Sequence, residues 1–180
     1  MKTVAVGDLI PNFTLNNING RSVDLDSLLT QDAVSILFDR GQWCPYDSLE
    51  LWMLQKFFLK QVTNTEKLII ISPRVSPALI ETLEKQSFQL EFLLDPEYEV
   101  TRSFGLMRKI PAFLRSTYER FGIQCVNSDS LVCELMVHAI YTVECDRRVT
   151  YSYIEMEEKK PCHFRNRLAV RDEEYWLALV

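Results

Sequence analysis

Val34-Ser35-Ile36-Leu37-Phe38-Asp39-Arg40-Gly41-Gln42-Trp43-Cys44-Pro45-Tyr46-Asp47 is the stretch on which the fold turns. Its first five residues are a short apolar run of the kind that forms a buried strand. From Pro45 the pattern becomes helical: Leu49, Trp52, Leu54 and Phe58 build one face, which Leu51 and Leu59 broaden. Pro45 suits the first helical turn, where its missing N–H costs nothing. The stretch therefore predicts a strand, a Cys-Pro step and a helix. Unpaired N–H groups and the positive end of a helix dipole favour thiolate over thiol at such a place. Arg40, four residues before Cys44, brings a positive charge to the same turn. The plainer reading of Cys44 is a buried structural thiol.

Working outward, Asn19-Gly20 between Phe13-Thr14-Leu15 and Ser22-Val23-Asp24-Leu25 marks a hairpin, because both turn residues tolerate positive φ. Lys67–Ser72 reads as a second buried strand. Ser76-Pro77 opens a helix that runs to Gln86. Phe92-Leu93-Leu94-Asp95 is a third strand ended by Pro96. Glu97–Phe104 and Pro111–Phe121 read as short helices closed by Gly105 and Gly122. Leu131–Glu144 and Val149–Ile154 have the composition of strands joined through Asp146-Arg147-Arg148, and Asp172–Leu179 predicts a terminal helix. Strands alternating with helices and ending in a hairpin give an α/β class with a mixed sheet. No repeat, low-complexity tract or linker interrupts the chain, so residues 1–180 are expected to form one domain.

Composition narrows the chemistry. Only five glycines occur, each far from the next, so G-x-G-x-x-G, the Gly-rich phosphate loop and the G-x-S-x-G elbow are absent. Two histidines, His138 and His163, are too few and too distant for H-E-x-x-H. A net charge of -5 without a basic stripe argues against nucleic acid as a partner. The N-terminal residues lack a signal-peptide core and no apolar run approaches a membrane span, so a cytoplasmic protein without membrane contact is expected. Thiols are kept reduced there. An odd number of cysteines at irregular spacing (Cys44, Cys125, Cys133, Cys145, Cys162) also argues against a disulfide framework. Cys133 and Cys145 lie in apolar strand patterns and are expected to be buried, inert thiols.

The chain resembles the thioredoxin superfamily, in the peroxiredoxin-like branch of the alkyl hydroperoxide reductase/thiol-specific antioxidant (AhpC/TSA) family. That branch carries Arg-Gly-Gly-Trp-Cys-Pro-Tyr-Cys after a strand, followed by a Leu-Glu-Leu helix start. Here the string is Arg40-Gly41-Gln42-Trp43-Cys44-Pro45-Tyr46-Asp47-Ser48-Leu49-Glu50-Leu51. The likeness continues in Ile70-Ile71-Ser72-Pro73, in Phe104-Gly105-Leu106, and from Pro111 through Tyr118-Glu119-Arg120-Phe121-Gly122-Ile123. It covers about residues 7–154 and weakens after 145. The resemblance implies a thioredoxin-like fold, a mixed β-sheet flanked by helices, with an N-terminal hairpin and inserted helices.

Three departures shape what the resemblance implies. Asp47 replaces the second cysteine of Cys-x-x-Cys, so no disulfide can close within this motif. A carboxylate there also raises the thiol pKa unless it serves the helix N-terminus instead. His138, in Val137-His138-Ala139-Ile140, replaces a proline that is normally cis and faces the active cysteine. A cis bond before a non-proline residue costs about 2.5–4 kcal/mol, so trans is expected. Gly41 stands where the true peroxiredoxin loop carries a peroxide-binding Thr, while Asp39, Cys44, Pro45 and Asp47 match that loop's Asp, Cys, Pro and Glu. Cys44, Asp47 and His138 would make a three-ligand corner, but a lone histidine near a core is usually just hydrogen-bonded, and no metal is expected.

What the resemblance implies is an antioxidant oxidoreductase: a thiol-dependent peroxidase with one reactive cysteine and no cofactor. Cys44 would be the nucleophile, with Arg40 and Asp47 as catalytic neighbours and Trp43, Pro45, Tyr46 and His138 shaping the substrate pocket. Cys162, next to His163, ranks first as a resolving thiol. A hydroperoxide or disulfide would be the substrate and an external thiol the reductant; the resemblance also suggests a homodimer. The competing reading is a catalytically degenerate thioredoxin-fold module that binds a protein partner.

Overall fold

The structure is a computed structural model that describes residues 2–30, 33–40, 67–75, 91–116, 126 and 132–155. The hairpin is present: β1 (Thr14–Asn17) pairs antiparallel with β2 (Ser22–Asp24), with Leu15 opposite Val23. Gly20 sits in its turn at φ 77°. The Asn17 side chain holds that turn by accepting the Asn19 and Arg21 N–H groups at 3.0 and 2.8 Å. The one-turn helix α1 (Leu25–Leu28) follows directly, capped by Asp24.

The apolar runs form the centre of the sheet. β3 (Val34–Phe38) and β4 (Lys67–Ser72) pair in parallel, Phe38 opposite Ile71, and β4 pairs in parallel with β5 (Glu91–Leu94). The five-residue helix α2 (Glu99–Ser103) comes next. The seven-stranded sheet runs β2-β1-β5-β4-β3-β8-β9, where β8 is Ala139–Val143 and β9 is Val149–Ile154, both antiparallel to their neighbours. The mixed sheet is as expected. The helices expected at Pro45–Leu59, Ser76–Gln86 and Asp172–Leu179 fall outside the described residues.

Two expectations needed correction. Residues 131–144 do not make one strand: the chain breaks at Val137-His138 into β7 (Val132–Met136) and β8. In addition, Met107–Pro111 forms a strand, β6, which pairs with β7 in a separate two-stranded sheet. Pro111 therefore ends a strand; a 3-10 turn (Ala112–Leu114) follows it, residues 115–116 are helical, and the rest of the expected helix falls outside the described residues. Met-Arg-Lys-Ile-Pro carries neither period, so only its partner strand makes it a strand.

Parity along the strands divides the core in two. Ile36, Phe38, Ile69, Ile71, Leu93, Tyr141 and Val143 face one side, while Leu37, Leu68, Ile70, Phe92 and Ile140 face the other. Phe104 anchors the first side, its ring 4.8 Å from Phe38 and 5.2 Å from Tyr141. The Tyr141 hydroxyl donates to the Val4 carbonyl at 3.3 Å, and burial pushes its pKa up. Gly105 follows at φ 68°, in close contact with the N-terminal segment.

A Cβ at Gly105 would lie 2.6 Å from the Lys2 carbonyl oxygen and 2.8 Å from the Thr3 Cα, whereas one at Gly20 would meet nothing within 4 Å. Gly20→Ala should cost only the left-handed backbone penalty of about 1–2 kcal/mol. Gly105→Ala adds a backbone clash and should lower Tm further, by several degrees beyond the Gly20 variant. Equal losses in thermal unfolding would refute the close approach.

The Asp24 carboxylate supplies a pH test. The Asn12 amide, at 2.8 Å, holds its pKa below the ordinary value against partial desolvation, helped by the Thr14 hydroxyl and the Ser27 and Asp26 N–H groups. A depressed folded pKa means that this stabilisation is present above the unfolded pKa and lost as pH falls through the folded one. Asp24→Asn should therefore lower Tm at pH 7, with the gap from wild type closing below about pH 4.

Candidate functional site

Parallel strands that end at the same level place their following residues side by side. β3 ends at Phe38 and β4 at Ser72, with Ser72 opposite Leu94 of β5. The ladder continues one step further: the Asp39 N–H donates to the Ile71 carbonyl at 2.9 Å, and the Asp95 N–H to the Ser72 carbonyl at 3.0 Å. Asp39, Ser72 and Asp95 are all buried, at 3%, 0% and 2% exposure. Polar groups so enclosed need hydrogen-bond partners. The Ser72 hydroxyl lies 3.1 Å from Asp39 Oδ2 and 2.8 Å from the Arg74 carbonyl oxygen. A serine has one proton, so the two oxygens compete for it. Asp95 has a structural task, accepting the Thr101 N–H at 2.8 Å and the Thr101 hydroxyl at 2.7 Å to cap α2.

The antiparallel neighbour completes this end of the sheet. Ala139 of β8 is opposite Phe38 of β3 and Ile154 of β9, so His138 arrives beside Asp39 in the register. His138 is buried at 1% exposure. No peptide bond among the described residues is cis, so His138 follows Val137 through a trans bond, as its sequence predicts. The Glu155 N–H donates to the His138 carbonyl at 3.0 Å, which carries the β8–β9 ladder one residue further. The Glu155 side chain then meets Arg40: Nη2 to Oε2 is 3.0 Å, with both side chains four-fifths covered.

Of the predicted site residues, Arg40 and His138 are thus brought to one end of the sheet. Trp43, Cys44, Pro45, Tyr46, Asp47 and Cys162 lie outside the described residues. Two participants were not anticipated. Ser72 lay within the Ile70-Ile71-Ser72-Pro73 string, which did signal this region. Glu155 carries no sequence signal, since its relation to Arg40 exists only through the sheet register.

The other thiols also differ from expectation. Cys133 is buried, as predicted, but is disulfide-bonded rather than free. Cys145 is a free thiol and exposed, because β8 ends at Val143 and Cys145 falls in the turn. No helix among the described residues is long and apolar enough to cross a membrane.

Comparison with known proteins bears on this arrangement. No curated protein matches the chain. Several solved structures share its fold. Peroxidoxin BcpB from Mycobacterium tuberculosis aligns with a TM-score of 0.62 and 17% identity, over 83% of this chain and 84% of that one. The thiol peroxidase from Chromobacterium violaceum gives 0.62 and 15%, over 99% and 88%. Reduced Prx3 in complex with hydrogen peroxide from Vibrio vulnificus gives 0.58 and 17%, over 98% and 96%. The α/β arrangement with its mixed sheet is therefore a thioredoxin-like fold of the peroxiredoxin type. The AhpC/TSA family model matches residues 6–120, more than half of the chain and including β1 through β6. The chain belongs to the AhpC/TSA family.

Proposed function

We propose that this protein is a thiol peroxidase that acts through Cys44. The observation that carries the reading is the polar end of the sheet, where Arg40 and His138 converge at the strand end from which the chain runs on to Cys44. The structural neighbours include a thiol peroxidase and a peroxiredoxin that holds hydrogen peroxide, which supports the same chemistry here.

In this reading the Cys44 thiolate attacks one oxygen of a hydroperoxide. The O–O bond breaks, the sulfur becomes a sulfenic acid, and the alkoxide leaves as an alcohol after taking a proton. A thiol then attacks the sulfenic sulfur, releasing water and forming a disulfide, and a second thiol restores Cys44. Arg40 favours the thiolate, Trp43, Pro45 and Tyr46 shape the pocket, and Asp47 or His138 exchanges protons.

Geometry bears on the resolving partner. Cys145 lies in the turn beyond β8, six residues or about 20 Å of strand from Ala139 at the site end. Cys162 follows Glu155 by seven residues, within an extended reach of about 24 Å, and Glu155 is fixed against Arg40. Cys162 remains the first candidate, with an external thiol as the general reductant. We also propose a cytoplasmic location and a homodimer.

A second reading has one observation in its favour: Glu155 already pairs with the Arg40 charge that the thiolate would use. That is the arrangement of a degenerate module that binds a protein partner. The Cys44 titration separates the two. A pKa below about 7 favours the peroxidase, and one at or above the ordinary ~8.5 favours the binding module.

Treated with an alkyl hydroperoxide, the intact protein should gain one oxygen or form a disulfide, and Cys44→Ser should do neither at that position. Oxidation elsewhere with Cys44 untouched overturns the proposal. The neighbours give opposite signs. Arg40→Met should raise the Cys44 pKa, cutting the thiolate fraction at pH 7 toward the few per cent of an ordinary cysteine. Glu155→Gln, which removes this carboxylate from beside Arg40, should lower it. Shifts in the same direction would remove Arg40 from this role.

A further inference from the structure

The buried Asp39–Ser72 contact poses a question of proton count that the peroxidase reading does not use. The Ser72 hydroxyl has two oxygens in range, Asp39 Oδ2 at 3.1 Å and the Arg74 carbonyl oxygen at 2.8 Å. A carbonyl only accepts, and the hydroxyl has one proton to give. An ionised carboxylate would win that proton and draw the hydroxyl to about 2.5–2.7 Å. The observed order is the reverse, with the neutral carbonyl holding the shorter contact. The Ser72 proton therefore points to Arg74, and the Asp39 contact needs a proton of its own, which the carboxyl group has to carry. Asp95, also buried at this end of the sheet, meets the opposite pattern. Its oxygens face three donors, the Val100 N–H at 3.4 Å, the Thr101 N–H at 2.8 Å and the Thr101 hydroxyl at 2.7 Å.

We propose that Asp39 is held as the neutral acid at neutral pH, and that Asp39, Ser72 and the Arg74 carbonyl form a directed hydrogen-bond chain storing one proton beside His138. The carboxyl proton binds the Ser72 oxygen, and the Ser72 proton binds the Arg74 carbonyl, which fastens the exits of β3 and β4 to each other. The surroundings favour this state. The charged and titratable groups at this end, among the described residues, are Arg40, Arg74, Asp95, His138 and Glu155. Arg40 is matched by Glu155 at 3.0 Å, and Arg74 is exposed, where water screens its charge. Asp95 is a second acid at the same level, and burial disfavours a further negative charge at Asp39. His138, next to Asp39 in the register, then has a neutral neighbour instead of a carboxylate. Where His138 exchanges protons it would begin as the neutral imidazole; that last step rests on the peroxidase reading, and the protonation of Asp39 does not.

Thermal unfolding of full-length Asp39→Asn against pH tests the chain, because asparagine keeps a donor at this position and cannot ionise. An acid that stays protonated in the fold and ionises on unfolding loses stability as pH rises above its unfolded pKa near ~4. The Tm of Asp39→Asn relative to wild type should therefore rise between about pH 4 and pH 8. The rise should be about 3–5 °C for each unit by which the folded pKa exceeds the unfolded one. A relative Tm that falls over this range, the sign of an ionised Asp39 paired in the fold, overturns the proposal, and so does one that stays level. Infrared spectroscopy needs no change at position 39. At neutral pH the wild type should show the carbonyl stretch of a protonated aspartic acid, identified by its shift on carbon-13 labelling of aspartate. Ser72→Ala removes the acceptor of the acid proton and should move that band to higher frequency. A missing band, or one that Ser72→Ala leaves in place, overturns the proposal. Neither measurement reads Cys44, so failure here and failure of the peroxidase reading are told apart.

Discussion

Phe38 stands opposite Ile71 on one side and Ala139 on the other, and this register positions the other described groups at this end of the sheet. β3 and β4 are buried on both faces, so a slip of one residue would exchange their two apolar sets between the faces and take Asp39 and Ser72 from their hydrogen-bond partners. The register is therefore strongly fixed by burial. Polar residues begin at the same level on neighbouring strands, and the backbone N–H groups of Asp39 and Asp95 extend the ladder to meet them. A site built this way inherits the rigidity of the sheet on at least one wall.

The N-terminal segment closes the same core from the other direction. Val4 donates to the Phe104 carbonyl at 3.0 Å and accepts the Tyr141 hydroxyl. Phe104 touches both Phe38 and Tyr141, so the aromatic cluster joins the first residues of the chain to the strands that end at the site. Gly105 must then turn away at once, and the space left by its absent side chain is where Lys2 and Thr3 pass. Among the described glycines, Gly105 is thus the one whose missing side chain makes room for another segment.

Legibility followed from how local each determinant was. The Asn19-Gly20 turn and the runs at 34–38 and 67–72 announce themselves within a few residues, and all three are where the pattern puts them. β6 and the break at Val137-His138 depend on a partner strand distant in sequence, which no window contains. The same limit applies at the site. Arg40 and His138 could be chosen through family likeness, but Glu155 reaches Arg40 only because β9 pairs with β8 and β8 with β3. The Cys133 disulfide was missed because spacing along the chain says little about which sulfurs meet in space.

The Arg40–Glu155 pair also constrains how a thiolate can be stabilised here. A lone cation about 10 Å from a thiolate, at an effective dielectric near 20, would contribute about 1.7 kcal/mol, a little over one pKa unit. With a carboxylate about 3 Å behind it, the net contribution falls to roughly 0.4 kcal/mol, because the two charges nearly cancel at that range. The Nη2–Oε2 separation of 3.0 Å puts the pair in that regime. At that range the paired Arg40 contributes little to a thiolate through charge alone, and a larger effect requires a donor within hydrogen-bond distance of the sulfur.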